Sequence, residues 1–573
     1  MRARPSFFAL LGMLGVHSAL VASLTWPLAR HLDTHLPATS GACEFDPLYM
    51  GWTLAHQSRA LLTAPATLSD GGIYQPAADS WLYGETSSGA LPLFLPVFLV
   101  SGNPTLALNA VFLAGVVLTA VALQAVVLDW TGSWLAGLVA AWTFLTTRWV
   151  LWEHLPCAPS HAMLLALPLI VALASRRVLG VRAWLGLLLL VILQCLTNLV
   201  YVAPVVLATL AVLAVVRLAR APRSGAALGA VTAAAVLALA PLYAAHRSVW
   251  LANPRLAEQT VWPLSGPLEP ALPREFLDYG PMAIAAPAML LILFGLAMEG
   301  ASMLRGAQSS GTTGRGRAWL HALLWTASGV VVAVLLAFGA GGRWLLTMAW
   351  LEPSLAQTLR FPLRLSTASL CGLCLLAGLS FAELERLAER LPGLERRRVS
   401  ARALIGAAVL AATYASYSRA DGVRSGLSSS YPLAVAPRPS PALVDQLRGS
   451  GGPLLELPVP PAVRGRPPGT WPTPHARAMY RAIFHRRRLV NGYSGYWPSG
   501  FVERMALAAR LPEPAALAEL RSETGLELVL VHLDDLDERT RQLWLDVARE
   551  HRADLFLVWR EGSDLLFRAD DRR

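Results

Sequence analysis

No lysine occurs anywhere in the chain; all 48 basic residues are arginine. This one-sided usage reflects codon preference in a GC-rich genome rather than selection site by site, so the net charge of +11 is no argument for a nucleic-acid partner. Charge of either sign is scarce, at 15% of residues against 55% apolar ones, with a mean hydropathy of +0.48. Such a balance excludes a soluble globular protein of ordinary composition. Cysteine is sparse too: the five present follow neither a disulfide framework nor a zinc spacing. Cys371 and Cys374 form a C-x-x-C inside an apolar run, where small buried thiols are the expected reading. A Walker A loop, a G-x-G-x-x-G after a strand, a nucleophile elbow and an H-E-x-x-H are all missing in usable context, which leaves nucleotide-driven and proteolytic chemistry without support.

What the chain has in abundance is long apolar runs. A hydrocarbon core of about 30 Å needs roughly 20 residues of helix, and about eleven runs approach that length. They fall near 7–29, 105–128, 134–150, 160–175, 183–198, 200–217, 226–246, 283–304, 318–339, 366–382 and 402–418. The first is expected to be a retained helix, because Trp26, Pro27 and Arg30 do not resemble a small-residue cleavage site. With the N-terminus inside, arginine-rich loops around 176–182, 217–223, 305–317 and 386–402 all fall on the cytoplasmic side, as the positive-inside rule requires. The weakest crossing is 183–217, split around Thr197 and Asn198, where one broken helix is an alternative. The run from Gly89 to Gly102 contains Pro92 and Pro96 and is too short to span, which predicts an interfacial or re-entrant piece.

This topology divides the chain into a transmembrane part, 1–418, with a long first outer loop over 30–104, and a tail, 419–573, outside. The tail carries strand-like runs at 453–458, 489–492, 527–532, 555–559 and 565–568, with helices expected at 475–487, 500–510, 514–523 and 536–550. The fold class predicted is thus a polytopic α-helical membrane protein with a small, separate C-terminal α/β domain in the periplasm. Cys43 and Cys157 fall on the same outer face, so an oxidising periplasm would permit a disulfide between them.

Two acids open the first loop, Glu44 and Asp46, separated by Phe45 and followed by Pro47. Carboxylates this close to membrane segments need water or a function. Two residues apart, they share a face only on extended chain. Pro47 suits the first turn of a helix expected over 48–62, with Leu48, Trp52, Ala55 and Leu62 as its apolar stripe. Asp46 then reads either as a plain N-cap or as a general base at the water–lipid boundary. Glu85, between Gly84 and Thr86, is a second acid of the site or a helix N-terminal carboxylate.

Taken with the layout of a first span, a long outer loop opening on acid-x-acid, further spans and an outer tail, several short segments carry a resemblance. These are Glu44-Phe45-Asp46, Ile73 to Pro76, Tyr83 to Glu85, Gly102 to Pro104 leading into Asn109, Arg360 to Arg364, and Leu489 to Tyr496. The whole resembles the GT-C superfamily of polyprenyl-phosphate-dependent glycosyltransferases, bacterial members in particular, and so implies a bacterial inner-membrane location. The resemblance implies inverting transfer of a sugar from a polyprenyl-phosphate donor to an unidentified glycan, lipid or protein acceptor at the outer face. The family's first-loop acid maps onto Asp46, with Glu44 as the second member of the motif. Many members carry adjacent acids, whereas Phe45 intervenes here. A divalent ion, Mg or Mn, held by Glu44 and Asp46 is part of this expectation.

A departing phosphate needs cations, and planar guanidinium groups match its oxygens. Arg360 and Arg364, outside and four residues apart, are the first candidates, with membrane-edge anchoring as their ordinary alternative; Arg148, beside Trp149, is a further one. His154 and His161 bracket the second outer loop with Glu153. They read as metal or substrate ligands, or more simply as solvated or interface-bonded side chains. Tyr493, Tyr496 and Trp497 would stack on a sugar or pack the tail against the membrane part. The 19 tryptophans chiefly mark interfaces. Arg477, Arg481 and His485 share a helix face, either solvated or turned to anionic headgroups. The rival readings are a lipid or glycan transporter or flippase, and a non-catalytic scaffold of the same fold; spans nearly free of charge and without an evident repeat count against transport.

Overall fold

The computed structural model describes residues 6–162, 166–176, 179–253, 256, 283–305, 314–337, 362–390, 398–419, 430–448, 451–460, 467, 469–550 and 552–570. Each predicted apolar run contains a helix among its described residues. In chain order these are α1 Phe7–Leu24, α4 Pro104–Thr131, α5 Trp134–Leu145, α6 Ala166–Ser175, α7 Val181–Thr197, α8 Val202–Leu218, α9 Pro222–Ala252, α10 Ala286–Arg305, α11 Gly314–Ala337, α12 Thr367–Glu389 and α13 Arg398–Ser418. Two further helices, α2 Asp46–Thr63 and α3 Leu91–Ser101, lie in the first loop. Phe7–Leu24, Pro104–Thr131, Pro222–Ala252 and the stretch Arg364–Glu389 are each long and apolar enough to cross a membrane. The chain is a membrane protein.

Local chemistry sets the helix ends. The Asn103 side chain accepts from the backbone N–H groups of Thr105 and Leu106, satisfying the first donors of α4, and Gly132 closes the same helix at a φ of 78°. The expected crossing 183–217 is two helices, broken at Asn198, whose side-chain oxygen accepts from Tyr201 N–H at 2.7 Å. The expected span 134–150 stops short at Leu145. Beyond it residues 146–158 form an irregular segment with a π-turn at Trp149–Glu153.

Helix α12 is the axis of the bundle, packing against α5, α10 and α11. Small residues permit that approach: a Cβ on Gly378 would lie 2.8 Å from the Ala136 carbonyl oxygen, and one on Gly372 would collide with the α11 backbone at Thr326 and Ala322. Between lipid-embedded helices such close packing replaces a hydrophobic driving force.

The tail contains the expected strands β3 Leu454–Leu457, β4 Leu528–His532, β5 Leu555–Glu561 and β6 Asp564–Ala569. They form a sheet in the order β3-β4-β6-β5, with β3 parallel to β4 and the rest antiparallel. Helices α15 Pro472–His485, α16 Phe501–Ala508, α17 Pro514–Thr524 and α18 Glu538–Arg549 match the expected ones, and α14 Pro441–Arg448 is an addition. The run at 489–492 makes only a bridge, Leu489 to Leu454.

The buried apolar residues of the tail form a single cluster with those of the first loop, among them Leu54, Ile73, Tyr74, Leu454, Val529 and Phe567. Backbone hydrogen bonds join the two segments: Tyr74 N–H to Asn491 O at 3.0 Å, Leu489 N–H to Gly72 O at 2.8 Å and Tyr496 N–H to Tyr83 O at 3.1 Å. A two-stranded antiparallel sheet, β1 His35–Pro37 with β2 Leu433–Val435, adds a further junction.

Candidate active site

Helix α2 begins at Asp46, two residues before the expected start, with Pro47 in its first turn and Phe45 as a cap that makes no side-chain hydrogen bond. Asp46 is therefore not an N-cap. Its Oδ1 instead accepts the Tyr493 hydroxyl proton at 2.8 Å, from a residue 447 positions along the chain. Burial pushes the Asp46 carboxyl up to about 6. The Tyr493 hydrogen bond and the charges of Arg364 and His161 pull the other way, while Glu85 adds to the rise.

Glu85 stands beside this group. Its Oε2 lies 3.2 Å from His161 Nε2, and its backbone oxygen accepts from Tyr49 OH at 3.0 Å. His161 Nδ1 meets His154 Nε2 at 2.8 Å, and Asn198 Nδ2 donates to His161 Nε2 at 2.9 Å. Both histidines are buried, and Trp149 stacks on His154 at 4.2 Å between ring centroids. Of the readings the sequence left open, solvated or interface-bonded side chains or ligands, burial removes only the solvated one. Burial, then Arg364 and His161, holds His154 well below the usual imidazole range, so it is neutral at pH 7.

Arg364 sits in a turn, Pro362–Ser366, just ahead of α12, with its guanidinium 5.7 Å from the centre of the Tyr201 ring. Its charge acts on both Asp46 and His154. Arg360 lies outside the described residues. The site thus draws Asp46 from α2, Glu85 from the first loop, the histidines from the segment between α5 and α6, Asn198 from the α7–α8 break, Arg364 from the α12 entry and Tyr493 from the tail.

Other expected members are placed elsewhere. Glu44 belongs to a tight turn, Gly41–Glu44, is exposed, and accepts from Thr473 Oγ1 at 3.4 Å. Glu44 is exposed and hydrogen-bonded to Thr473, whereas Asp46 is half-buried and hydrogen-bonded to Tyr493, so the two acids share no hydrogen-bond partner among the described residues. Among the described residues, no three His, Cys, Asp or Glu side chains are grouped to hold a metal. Arg148 pairs with Glu153 at 3.1 Å. Tyr493 packs edge-on against Phe45 and Tyr49, at 5.5 and 5.7 Å, so its ring is not presented as a sugar platform. Tyr496 packs against Trp250 of α9 at 5.0 Å, joining the tail to the helical part.

Cys43 and Cys157 form a disulfide across 114 residues, tying the turn that precedes Asp46 to the histidine loop. Asn198 and Tyr49 were not singled out in the sequence. The only trace of Asn198 there is the break it makes between two apolar runs. Tyr49 has no local signal at all.

No protein-family model matches the chain, and no curated protein matches its sequence. Solved structures do. The arabinofuranosyltransferase AftD from Mycobacteria, determined by single-particle cryo-EM, matches 99% of this chain at a TM-score of 0.57 and 17% identity. This chain spans 40% of the length of AftD. ArnT from Cupriavidus metallidurans matches over nearly full length of both chains at 11% identity, with a TM-score of 0.44 in the apo state and 0.46 bound to undecaprenyl phosphate. The likeness to AftD shows that the two chains share a fold.

Proposed function

We propose that this chain is an integral membrane glycosyltransferase that moves a sugar from a polyprenyl-phosphate-linked donor to an acceptor hydroxyl at the outer face of the cytoplasmic membrane. The observation that carries the reading is the convergence of one carboxylate of raised pKa, Asp46, and one arginine, Arg364, from distant parts of the chain onto a common site. The shared fold with AftD supports the same class of chemistry. The disulfide supports an oxidising, extracytoplasmic compartment for the first loop.

In this mechanism the Asp46 carboxylate removes the acceptor hydroxyl proton as the oxygen attacks the anomeric carbon. The bond from that carbon to the phosphate oxygen breaks, the electron pair leaves with the phosphate, and configuration inverts. A carboxyl near 6 is mostly ionised at neutral pH yet basic enough to hold the transferred proton, as efficient proton transfer asks. Tyr493 orients the carboxylate, and Arg364 offsets the charge gathering on the phosphate. Arg360, four residues earlier, would share that work. No step is routed through a metal.

Replacing Asp46 by Asn tests the assignment, since the amide keeps the shape and the Tyr493 contact but cannot accept a proton. Transfer from polyprenyl-phosphate sugars in proteoliposomes is expected to fall about 10²- to 10⁴-fold without a lowered melting temperature. Undiminished transfer by the variant would place the base elsewhere. Donor movement across the bilayer without transfer, in the unaltered protein, would favour a transporter.

A further inference from the structure

The basic run of the tail divides when it folds. Arg477 faces Asp535 at 3.8 Å, Arg481 and His485 turn inward to buried Glu456, and Arg488 pairs with Asp70 at 2.7 Å. Arg486 takes a different course: it is exposed just past the end of α15, at a φ of 62°. There it joins three other arginines. Arg448 donates to the Phe484 carbonyl at 3.1 Å, the Arg438 guanidinium covers the Phe484 ring at 5.3 Å, and the Arg59 guanidinium covers Phe98 of α3 at 5.3 Å. Among the described residues, no carboxylate lies within ion-pair distance of any of the four. Burial, Arg486 and Arg448 together push Arg59 down to about 10. Like charges held this close without a counter-charge are unfavourable until an anion joins them.

The surroundings indicate which anion. Leu61 and Leu62 at the end of α2, and Leu99 and Val100 at the end of α3, are exposed, Val100 to 91%. Helix α3 is apolar, too short to span, and leads through Gly102 directly into the membrane helix α4. A cationic rim above exposed aliphatic side chains, at the level where a span enters the bilayer, matches a surface seated among headgroups. A soluble phosphate would make no use of the aliphatic part.

We propose that Arg59, Arg438, Arg448 and Arg486 bind the phosphate headgroup of an anionic membrane lipid, with Leu61, Leu62, Leu99 and Val100 set into the acyl region beside it. This site is separate from the candidate active site and does not rest on the transferase reading. Arg59 lies about 20 Å along α2 from Asp46 at 1.5 Å per residue, so the bound lipid would hold the helix that carries Asp46 at a fixed depth.

The experiment uses the full chain in detergent, titrated separately with phosphatidylglycerol and phosphatidylcholine and followed by native mass spectrometry. Phosphatidylglycerol is expected to be retained in preference, and to be weakened about fivefold for each of Arg59→Gln, Arg448→Gln and Arg486→Gln. Arg488→Gln, an equal charge loss at an arginine already paired with Asp70, is the control expected to leave retention unchanged. Equal retention of the two lipids, or retention unmoved by the single and triple variants, would overturn the proposal. Displacement of phosphatidylglycerol by inorganic phosphate would overturn it as well, by making the site one for a soluble anion.

Discussion

Asp46 shows how a residue's place in the fold alters its chemistry. A carboxylate at a helix N-terminus is ordinarily favoured in its charged form, yet burial here outweighs that and the neighbouring cations, and its carboxyl rises to about 6. If Asp46 is the base, the rate at low substrate falls about tenfold per pH unit below that value and is level above it, as a pH–rate profile will show. Two variants should move the inflection in opposite directions. Tyr493→Phe removes a hydrogen bond that lowers the Asp46 value, so the inflection shifts to higher pH; Glu85→Gln removes a charge that raises it, so the inflection shifts to lower pH. Stability carries the reverse sign of activity. Between the ordinary carboxyl value near 4 and about 6 the folded chain holds a proton that the unfolded chain releases, so stability falls as pH rises through that window. At this scale the sequence was partly legible. An acid directly before Pro47 marked Asp46, whereas Asn198 and Tyr49 gain meaning only from partners brought in by the fold, His161 and Glu85.

Helices were the most legible elements, because spanning a bilayer demands apolar length that few other structures need. Departures came where the chain leaves that regularity for the site: α5 ends at Leu145 ahead of the histidine loop, and α7 breaks at Asn198. The three-residue strands β1 and β2 were invisible, since they pair residues nearly 400 positions apart and show no local alternation. Packing of α12 yields a prediction of its own. Gly378→Leu would drive a side chain into the Ala136 backbone and the Val127 methyl at 2.8 and 2.9 Å, and should destabilise the bundle by about 1–3 kcal/mol. Thermal melting in detergent reads this as a lowered midpoint. Gly186→Ala in α7, where an added Cβ meets nothing within 4 Å, should leave the midpoint unlowered.

For the whole molecule, the consequence is that the tail and first loop fold as one body over the helical part. If the first loop is removed, Tyr493 loses the Phe45 and Tyr49 rings and Phe501 loses the Tyr74 ring. A fragment covering 430–570 expressed alone is therefore expected to lack a cooperative unfolding transition, while the full chain keeps one; a sharp transition in the fragment would restore the tail as an independent domain. The sequence showed the strands and helices of the tail but not this union, because composition changes at the last span whichever partner the tail packs against. The same union brings Tyr493 to Asp46 and so makes the tail part of the site. The most direct test of the account is a structure of the full chain with undecaprenyl phosphate added. The phosphate is expected about 3 Å from the Arg364 guanidinium, in open space that Asp46 also faces. A phosphate bound away from Arg364, or walled off from Asp46 by protein, would contradict the account.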